Sequence, residues 1–271
     1  MRVLGIDFSG GSAPWRSRVS RPTVWIATVD SVNNDRLALE GLVPVQALAG
    51  TGTSFARLTA LLSGAEFAAA GIDAPFSIPS PHIPMGGYPE LLRAVQALPN
   101  GHDRDFPIGA DLLSLAEDIC QKAKAKPLRA CEARWVARGV NTRSTLWNGP
   151  RGGAPFAAAC IALIARSGRP AWPWIKDGPG VLVEAFPAAQ LNWWRLPFQG
   201  YSGANAGGVR EQIVGALREK IVLSPEHEQL MRSSPDALDA VLCAFAAAAV
   251  ANGRLAFTPT GSDEGEIAIH E

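Results

Sequence analysis

One stretch decides the fold of this chain: Arg2-Val3-Leu4-Gly5-Ile6-Asp7-Phe8-Ser9-Gly10-Gly11. Its apolar residues form a short continuous run that ends in a glycine-rich turn, which is typical of a strand buried on both faces. Asp7 interrupts the run, and a buried carboxylate is costly unless it is paired, hydrogen-bonded or bound to a metal. Asp7 is therefore either a cap of the following turn, as aspartate often is beside glycines, or part of a functional site.

The composition is that of an ordinary globular protein. Hydrophobic residues make up 47% of the 271 residues and charged residues 18%, enough for one large core or two small ones. Basic and acidic residues each number 25, so the overall charge gives no indication of a partner such as bulk duplex nucleic acid.

The basic residues are unevenly distributed. Residues 122–151 contain a single acid, Glu132, and eight basic residues: Lys122, Lys124, Lys126, Arg129, Arg134, Arg138, Arg143 and Arg151. Two interpretations of this run stay open, a solvated helix face or a surface that holds phosphate groups.

The sequence contains no signal for a disulfide framework, a zinc ribbon or a membrane span. The four cysteines include no C-x-x-C pair. The longest alanine-rich run, residues 237–251, is interrupted by Asp239 and too short to cross a bilayer, and the N-terminus has no leader pattern. We predict a soluble, cytoplasmic protein with no membrane partner, and the oligomeric state stays open.

The first third of the chain predicts three antiparallel strands, a helix and a fourth strand. The predicted elements are strands at the N-terminus, 23–29 and 36–45 with a turn at 30–35, a helix from Thr53 or Ser54 to Gly64, and a strand at 67–72 that ends on Asp73. Because no helix separates the first two strands, this order argues against a dinucleotide-binding fold.

Residues 75–179 predict a proline-rich, largely helical insertion into a single domain that spans residues 1–271. Its predicted helices lie near 90–98, 111–124, 128–138 and 155–166. The strand pattern resumes at 181–184 and ends on Glu184. Further helices are predicted at 186–191, 207–221, after Ser224-Pro225 and at 236–252, and residues 264–269 predict a short edge strand.

Two further acids lie on the last predicted helix. Asp236 and Asp239 are three residues apart and so share one side of the helix near its N-terminus. The helix macrodipole explains Asp236, but Asp239 lies in a stretch that is apolar nearly all round. Acids from several elements are what two-metal phosphoryl chemistry with Mg²⁺ or Mn²⁺ requires.

These motifs resemble those of the DUF429 family of predicted ribonuclease H-like proteins. The resemblance rests on four segments: Gly5-Ile6-Asp7-Phe8-Ser9-Gly10-Gly11, Gly71-Ile72-Asp73-Ala74-Pro75-Phe76, Val183-Glu184-Ala185-Phe186-Pro187-Ala188-Ala189 and Asp236-Ala237-Leu238-Asp239-Ala240. The first and last are also distantly similar to RuvC-type Holliday-junction resolvases. The resemblance implies an α/β, ribonuclease H-like fold: a mixed five-stranded sheet, three antiparallel then two parallel strands, flanked by helices.

The resemblance also implies a two-metal nuclease mechanism. Asp7 and Asp73 match the acids of the first and fourth strands, and Asp236 and Asp239 match the helix acids. Resolvase-like nucleases usually have Glu on the fourth strand, so Asp73 has a shorter reach. Glu184 belongs to the DUF429 pattern alone.

The leading hypothesis is a metal-dependent phosphodiester hydrolase acting on nucleic acid or another phosphate-containing substrate. Asp7, Asp73 and Asp239 would bind Mg²⁺ or Mn²⁺, and Asp236 and Glu184 would assist catalysis. The predicted substrate contacts are Arg134, Arg138, Arg143, Ser9 and Gly10, arginine because its guanidinium binds phosphate in bidentate fashion.

Two alternatives stay open. A small-molecule kinase of the actin and sugar-kinase superfamily also opens with a strand, an acid and a Gly/Ser turn, but such kinases duplicate the core. A non-catalytic nucleic-acid-binding protein could stack bases on exposed members of its eight tryptophans, notably Trp172, Trp174, Trp193 and Trp194.

Overall fold

The N-terminal strand, β1 (Arg2–Asp7), lies inside a six-stranded mixed sheet with helices on both faces. The computed structural model describes residues 1–33, 36–150, 152–175, 178, 180–259 and 263–271. Six residues of the predicted features therefore lie outside the described residues: Asn34 and Asp35 of the turn, Arg151 of the basic run, and Lys176, Asp177 and Pro179 near the end of the insertion.

The strand order in the sheet is β5-β4-β1-β2-β3-β6. The other five strands are β2 (Trp25–Asn33), β3 (Arg36–Pro44), β4 (Ala69–Ile72), β5 (Val181–Glu184) and β6 (Ile221–Val222). Strands β1, β2 and β3 are antiparallel neighbours, and β4 and β5 continue the sheet parallel to β1. Three antiparallel strands followed by two parallel ones are thus confirmed.

Two predictions at the margins of the sheet are wrong. The sheet has six strands instead of five, because Ile221–Val222 pairs parallel to β3 instead of ending the preceding helix. Residues 264–269 form no strand. The backbone N–H of Ala268 donates to the carbonyl of Glu184, and this contact alone joins the segment to the end of β5.

Nine α-helices lie among the described residues. They are α1 (Ser54–Gly64), α2 (Tyr88–Ala97), α3 (Gly109–Ile119), α4 (Ala130–Ala137), α5 (Ala154–Ser167), α6 (Pro187–Trp193), α7 (Gly207–Leu217), α8 (Pro225–Ser233) and α9 (Pro235–Asn252). The capping predictions for Thr53 and Ser224 are confirmed, and Ser234 caps α9 in the same way: each side chain accepts a hydrogen bond from the backbone N–H three residues on. The helices predicted within residues 75–179 are α2 to α5, and the single-domain boundary stays a prediction.

Alternation along the strands divides the core into two layers. Leu4 and Ile6 of β1 pack into the cluster that contains α1 and α5, whereas Val3 packs into the cluster that contains α9. Helix α9 is the one described helix long and apolar enough to cross a membrane, and 72% of it is buried within the protein. Its burial against the sheet is that of the core helix of a soluble protein.

Helix α9 lies unusually close to the sheet because two strands present glycine to it. A Cβ added to Gly5 would lie 2.0 Å from the carbonyl oxygen of Ala240, and one added to Gly71 would lie 2.0 Å from that of Cys243. Both distances are far below van der Waals contact, so no side chain fits at either strand position. The helix backbone therefore rests on the backbones of β1 and β4.

We expect Gly71→Ala to lower the free energy of unfolding by at least ~2 kcal/mol, because helix and sheet backbones must separate to admit the methyl group. Gly41→Ala is the matched control, since a Cβ there would meet only the Thr28 side chain at 3.8 Å. Urea denaturation of both variants measures the difference. Equal stabilities would show that α9 does not depend on the glycine contact.

Candidate metal centre

The ends of β1 and β4 place two carboxylates side by side. The two strands are parallel and Ile6 is in register with Ile72, so Asp7 and Asp73 follow neighbouring residues. The backbone N–H of Asp73 donates to the carbonyl of Ile6 at 2.9 Å. Because parallel strands end at the same edge of a sheet, acids distant in sequence become adjacent there.

Helix α9 supplies the third carboxylate to the same face. Side chains alternate along a strand, so Asp7 lies on the face of Gly5, which is the face that α9 covers. Asp239 directly precedes Ala240, whose carbonyl lies against Gly5. The glycine two residues before Asp7 thus lets the helix acid approach the strand acid.

Asp7, Asp73 and Asp239 form one cluster. One carboxylate oxygen from each lies within 4.8 Å of the other two. Asp7 is buried, and Asp73 and Asp239 are half-buried. Tyr201, in the loop before α7, donates its hydroxyl to Oδ1 of Asp239 at 2.8 Å and so orients that carboxylate.

Burial and nearby negative charge raise the pKa of every acid in this cluster. Loss of hydration is the main cause for Asp7, and the charges of Asp239 and Asp73 raise its pKa further. The pKa of Asp73 rises to about 7, through burial and then the charge of Glu184. Burial and Asp73 raise the pKa of Asp239, and the Tyr201 hydrogen bond opposes them. No described cationic side chain pairs with any of the three.

Asp236 lies at the outer edge of the cluster. It is half-buried, and burial raises its pKa while the nearby positive charge of Arg21 opposes that rise. Its own charge raises the pKa of both Asp7 and Asp239. The structure thus brings Asp236 near the three central acids without placing it among them.

Glu184 lies apart from the cluster, on the other face of the sheet. It is in register with Ile72, and its strand neighbour Leu182 packs on the α5 side. Its carboxylate accepts hydrogen bonds from Arg129 at 2.5 and 2.8 Å and from the backbone N–H of Phe76 at 2.9 Å. The predicted catalytic acid is therefore neutralised by a buried arginine.

Arg129 is the centre of a buried ionic network that the sequence did not reveal. Its side chain is 1% exposed and also donates to Glu132 at 3.1 Å. Glu264 accepts from the backbone N–H groups of Ser80 and Ala130, at 2.8 and 2.7 Å, and so caps the start of α4. An arginine directly before a helix, with Glu three residues on, is the one local signal of this arrangement.

The three arginines predicted to bind phosphate have different partners in the structure. Arg134 forms a bidentate ion pair with Glu266, at 2.8 and 3.0 Å. Arg138 lies over the rings of Trp135 and Trp193. Arg143 makes no hydrogen bond or ion pair with any described residue and lines a cleft beside Asp73. Of the three predicted phosphate-binding arginines, the structure places Arg143 next to the acids.

Ser9 and Gly10 form a closed turn. The Ser9 hydroxyl accepts from the N–H of Gly11 at 3.2 Å. Gly10 is buried, and a Cβ there would lie 2.3 Å from the Pro155 backbone at the start of α5. Gly10 therefore serves the contact between the turn and α5.

A family model described as "Protein of unknown function (DUF429)" matches residues 5–264 of the chain. The match covers Asp7, Asp73, Asp236 and Asp239 and all of the sheet except residues 2–4 of β1. No curated protein and no solved structure gives a significant match.

The cluster predicts a pH-dependent stability in metal-free buffer. A carboxyl group whose pKa is raised by folding stabilises the folded protein below its unfolded pKa, and that stability is lost as the pH rises through the folded value. With Asp73 near 7, we expect the free energy of unfolding in EDTA to fall by about 2 kcal/mol between pH 5 and 8. Chemical denaturation across this range measures it.

Asp7→Asn should weaken this dependence, because it removes one titrating group and its repulsion. Asp118→Asn, at an exposed position on α3, should keep the wild-type slope. A slope unchanged in Asp7→Asn would contradict the coupling among the acids.

Arg129→Met should lower the free energy of unfolding by ~3–5 kcal/mol, because Glu184 and Glu132 would stay buried without a cation. Arg93→Met, which breaks the exposed pair with Glu90, should cost under ~1 kcal/mol. Adding Glu184→Gln to Arg129→Met should restore part of the loss. If Arg129→Met and Arg93→Met unfold at the same urea concentration, the buried network does not stabilise the fold.

Proposed function

The chain belongs to the DUF429 family, and because the family's function is unknown we propose one from the site: metal-dependent hydrolysis of phosphodiesters. Asp7, Asp73 and Asp239 hold Mg²⁺ or Mn²⁺ in this proposal. The substrate is a nucleic acid or another phosphate ester, and the location is the cytoplasm.

The observation that carries the proposal is the convergence of three carboxylates that no cationic side chain among the described residues neutralises. Such a group is destabilised by its own repulsion, and a divalent cation would neutralise it. The donor set also fits a hard cation, since every donor is a carboxylate oxygen. Oxygens bound to one Mg²⁺ at ~2.1 Å lie at most about 4.2 Å apart. The carboxylate oxygens of Asp7, Asp73 and Asp239 lie within 4.8 Å of one another, which is about half an ångström more than this maximum.

The topology supports the finer fold assignment. A ribonuclease H-like sheet is implied by the resemblance, with acids on the first strand, the fourth strand and a helix packed on the sheet. Here Asp7 ends β1, Asp73 follows β4, and α9 brings Asp239 to the same face. We therefore propose that the chain is a ribonuclease H-like nuclease that is distantly similar to RuvC-type resolvases.

Each residue of the site has its own role in the proposed hydrolysis. A divalent ion, when bound, activates water and stabilises the charge that develops on the phosphate. Asp7, Asp73 and Asp239 provide its ligands, Tyr201 holds the orientation of Asp239, and Asp236 extends the negative site outward for a second ion. Glu184 does not bind metal in this proposal; it accepts hydrogen bonds from Arg129 and so fixes the position of that arginine at the cleft.

The two alternatives have less support. A kinase would use the turn after β1 for ATP phosphates, but Gly10 is packed against Pro155. A base-stacking protein would expose its tryptophans, yet Trp172 is buried, Trp174 stacks on Tyr88 and Trp194 packs against Phe245.

We expect Mn²⁺ or Mg²⁺ to raise the melting temperature of the wild type by several degrees through linkage. Asp7→Asn and Asp239→Asn should each abolish most of this shift and reduce metal-dependent cleavage at least 100-fold. Calorimetry and cleavage of bis(p-nitrophenyl) phosphate and of labelled oligonucleotides are the measurements, with Asp118→Asn as control. Identical metal responses in wild type and both site variants would exclude the metal centre.

A further inference from the structure

A cleft of about 340 Å³ adjoins the acid cluster and shares Asp73 with it. This volume is at the lower end of the range of small-molecule sites. Glu184, Arg129 and residues of the loop before α5 line the same cleft. A substrate group next to a phosphate held at the acid cluster would therefore enter it.

The residues that line the cleft are both apolar and polar. Phe156 of α5 and Phe186, which precedes α6, are half-buried aromatic side chains, and Ile267 is a third apolar lining residue. Asn141, Thr142 and Arg143 are the polar lining residues from the loop before α5. Aromatic and hydrogen-bonding side chains in one cleft suit a heterocyclic base, which has apolar faces and polar edges.

Arg143 provides a fixed positive charge at this cleft. Its guanidinium lies 4.5 Å from the centroid of the Trp147 ring, and the Lys126 ammonium lies 4.8 Å from that centroid. The loop that carries Trp147 is held tightly against the start of α5. A Cβ on Gly152 would lie 1.8 Å from the carbonyl oxygen of Trp147, and one on Gly153 would lie 2.7 Å from that of Ser144.

Two backbone N–H groups at the start of α5 are already paired within the protein. The N–H of Gly153 donates to the Ser144 carbonyl, and that of Ala154 donates to the Trp147 carbonyl, both at 3.2 Å. Arg143, which has no described partner for its five donors, is the cation that remains for a phosphate.

We propose that this cleft binds the unpaired nucleoside of a nucleoside phosphate, with the base against the aromatic lining residues Phe156 and Phe186 and a phosphate oxygen on Arg143. The proposal rests on the phosphodiesterase function above and specifies its substrate. A base inside a duplex cannot enter a cleft of this size, so the base is unpaired. Two sources share this chemistry: a free nucleotide and the unpaired end of a strand.

Binding in EDTA, where no metal-dependent turnover occurs, tests the cleft. We expect saturation-transfer NMR to give at least about fivefold tighter binding of AMP than of ribose 5-phosphate, which lacks the base. Arg143→Ala should weaken AMP binding at least fivefold, and Phe186→Ala should reduce the preference for AMP over ribose 5-phosphate. Arg93→Ala, a surface arginine on α2, should bind AMP as the wild type does. Thermal melting checks that each variant is folded, and Phe156→Leu replaces Phe186→Ala if the latter is not.

Oligonucleotides in the same assay distinguish the sources. Tighter binding of a duplex with a single-stranded overhang than of AMP identifies a strand end; equal binding of the two identifies the nucleotide itself as sufficient. Equal affinity for AMP and ribose 5-phosphate together with a blunt duplex bound as well as an overhang would overturn the proposal, as would Arg143→Ala binding every probe like the wild type.

The two proposals fail in different ways. AMP binding that depends on Arg143, without metal-dependent cleavage of any substrate, would retain the cleft and reject the hydrolase. Cleavage that needs Asp7 but is unaffected by Arg143→Ala and Phe186→Ala would retain the hydrolase and reject the cleft.

Discussion

The close contact between α9 and the backbones of β1 and β4 is the constraint on which the rest of the structure depends. Gly5 and Gly71 admit the helix because neither has a side chain. Each glycine is followed two residues later by an aspartate, in the repeated tripeptide Gly-Ile-Asp. Since strand side chains alternate, each aspartate lies on the glycine's face of the sheet, where α9 brings Asp239. The same two glycines therefore determine both the packing of α9 on the sheet and the geometry of the acid cluster.

The protein buries carboxylates by two different means on the two faces of the sheet. On the α5 side, Arg129 neutralises Glu184 and Glu132 with direct hydrogen bonds. On the α9 side, Asp7, Asp73 and Asp239 share no described cation, and the pKa of each is raised. Buried charge needs compensation in both places. The first face has it within the chain, and the second is where an external cation would supply it.

The basic run shows why charge counted along a sequence misrepresents charge on a surface. Its acids come from distant segments: Glu184 and Glu266 pair with Arg129 and Arg134 across 55 and 132 residues. Of the three arginines predicted to bind phosphate, Arg143 is the one that lines the cleft with Asp73, and it makes no ion pair with a described residue. The free charge is thus a property of the folded chain, and so is the chemistry it can serve.

The sequence by itself determined most of the helices and strands and singled out the three central acids. Continuous apolar runs identify β1, β4 and β5, and serine or threonine caps identify α1, α8 and α9, because these signals are local. It also singled out Asp7, Asp73 and Asp239, since an acid within an apolar run needs an explanation wherever it folds. Only the tertiary structure decided which acids meet. Glu184 shares the same local pattern, yet strand register places it with Arg129, and the two-residue strand β6 has too little apolar sequence to be recognised. Tyr201, Glu264 and the cleft likewise depend on contacts between distant segments, for which neither periodicity nor capping carries information.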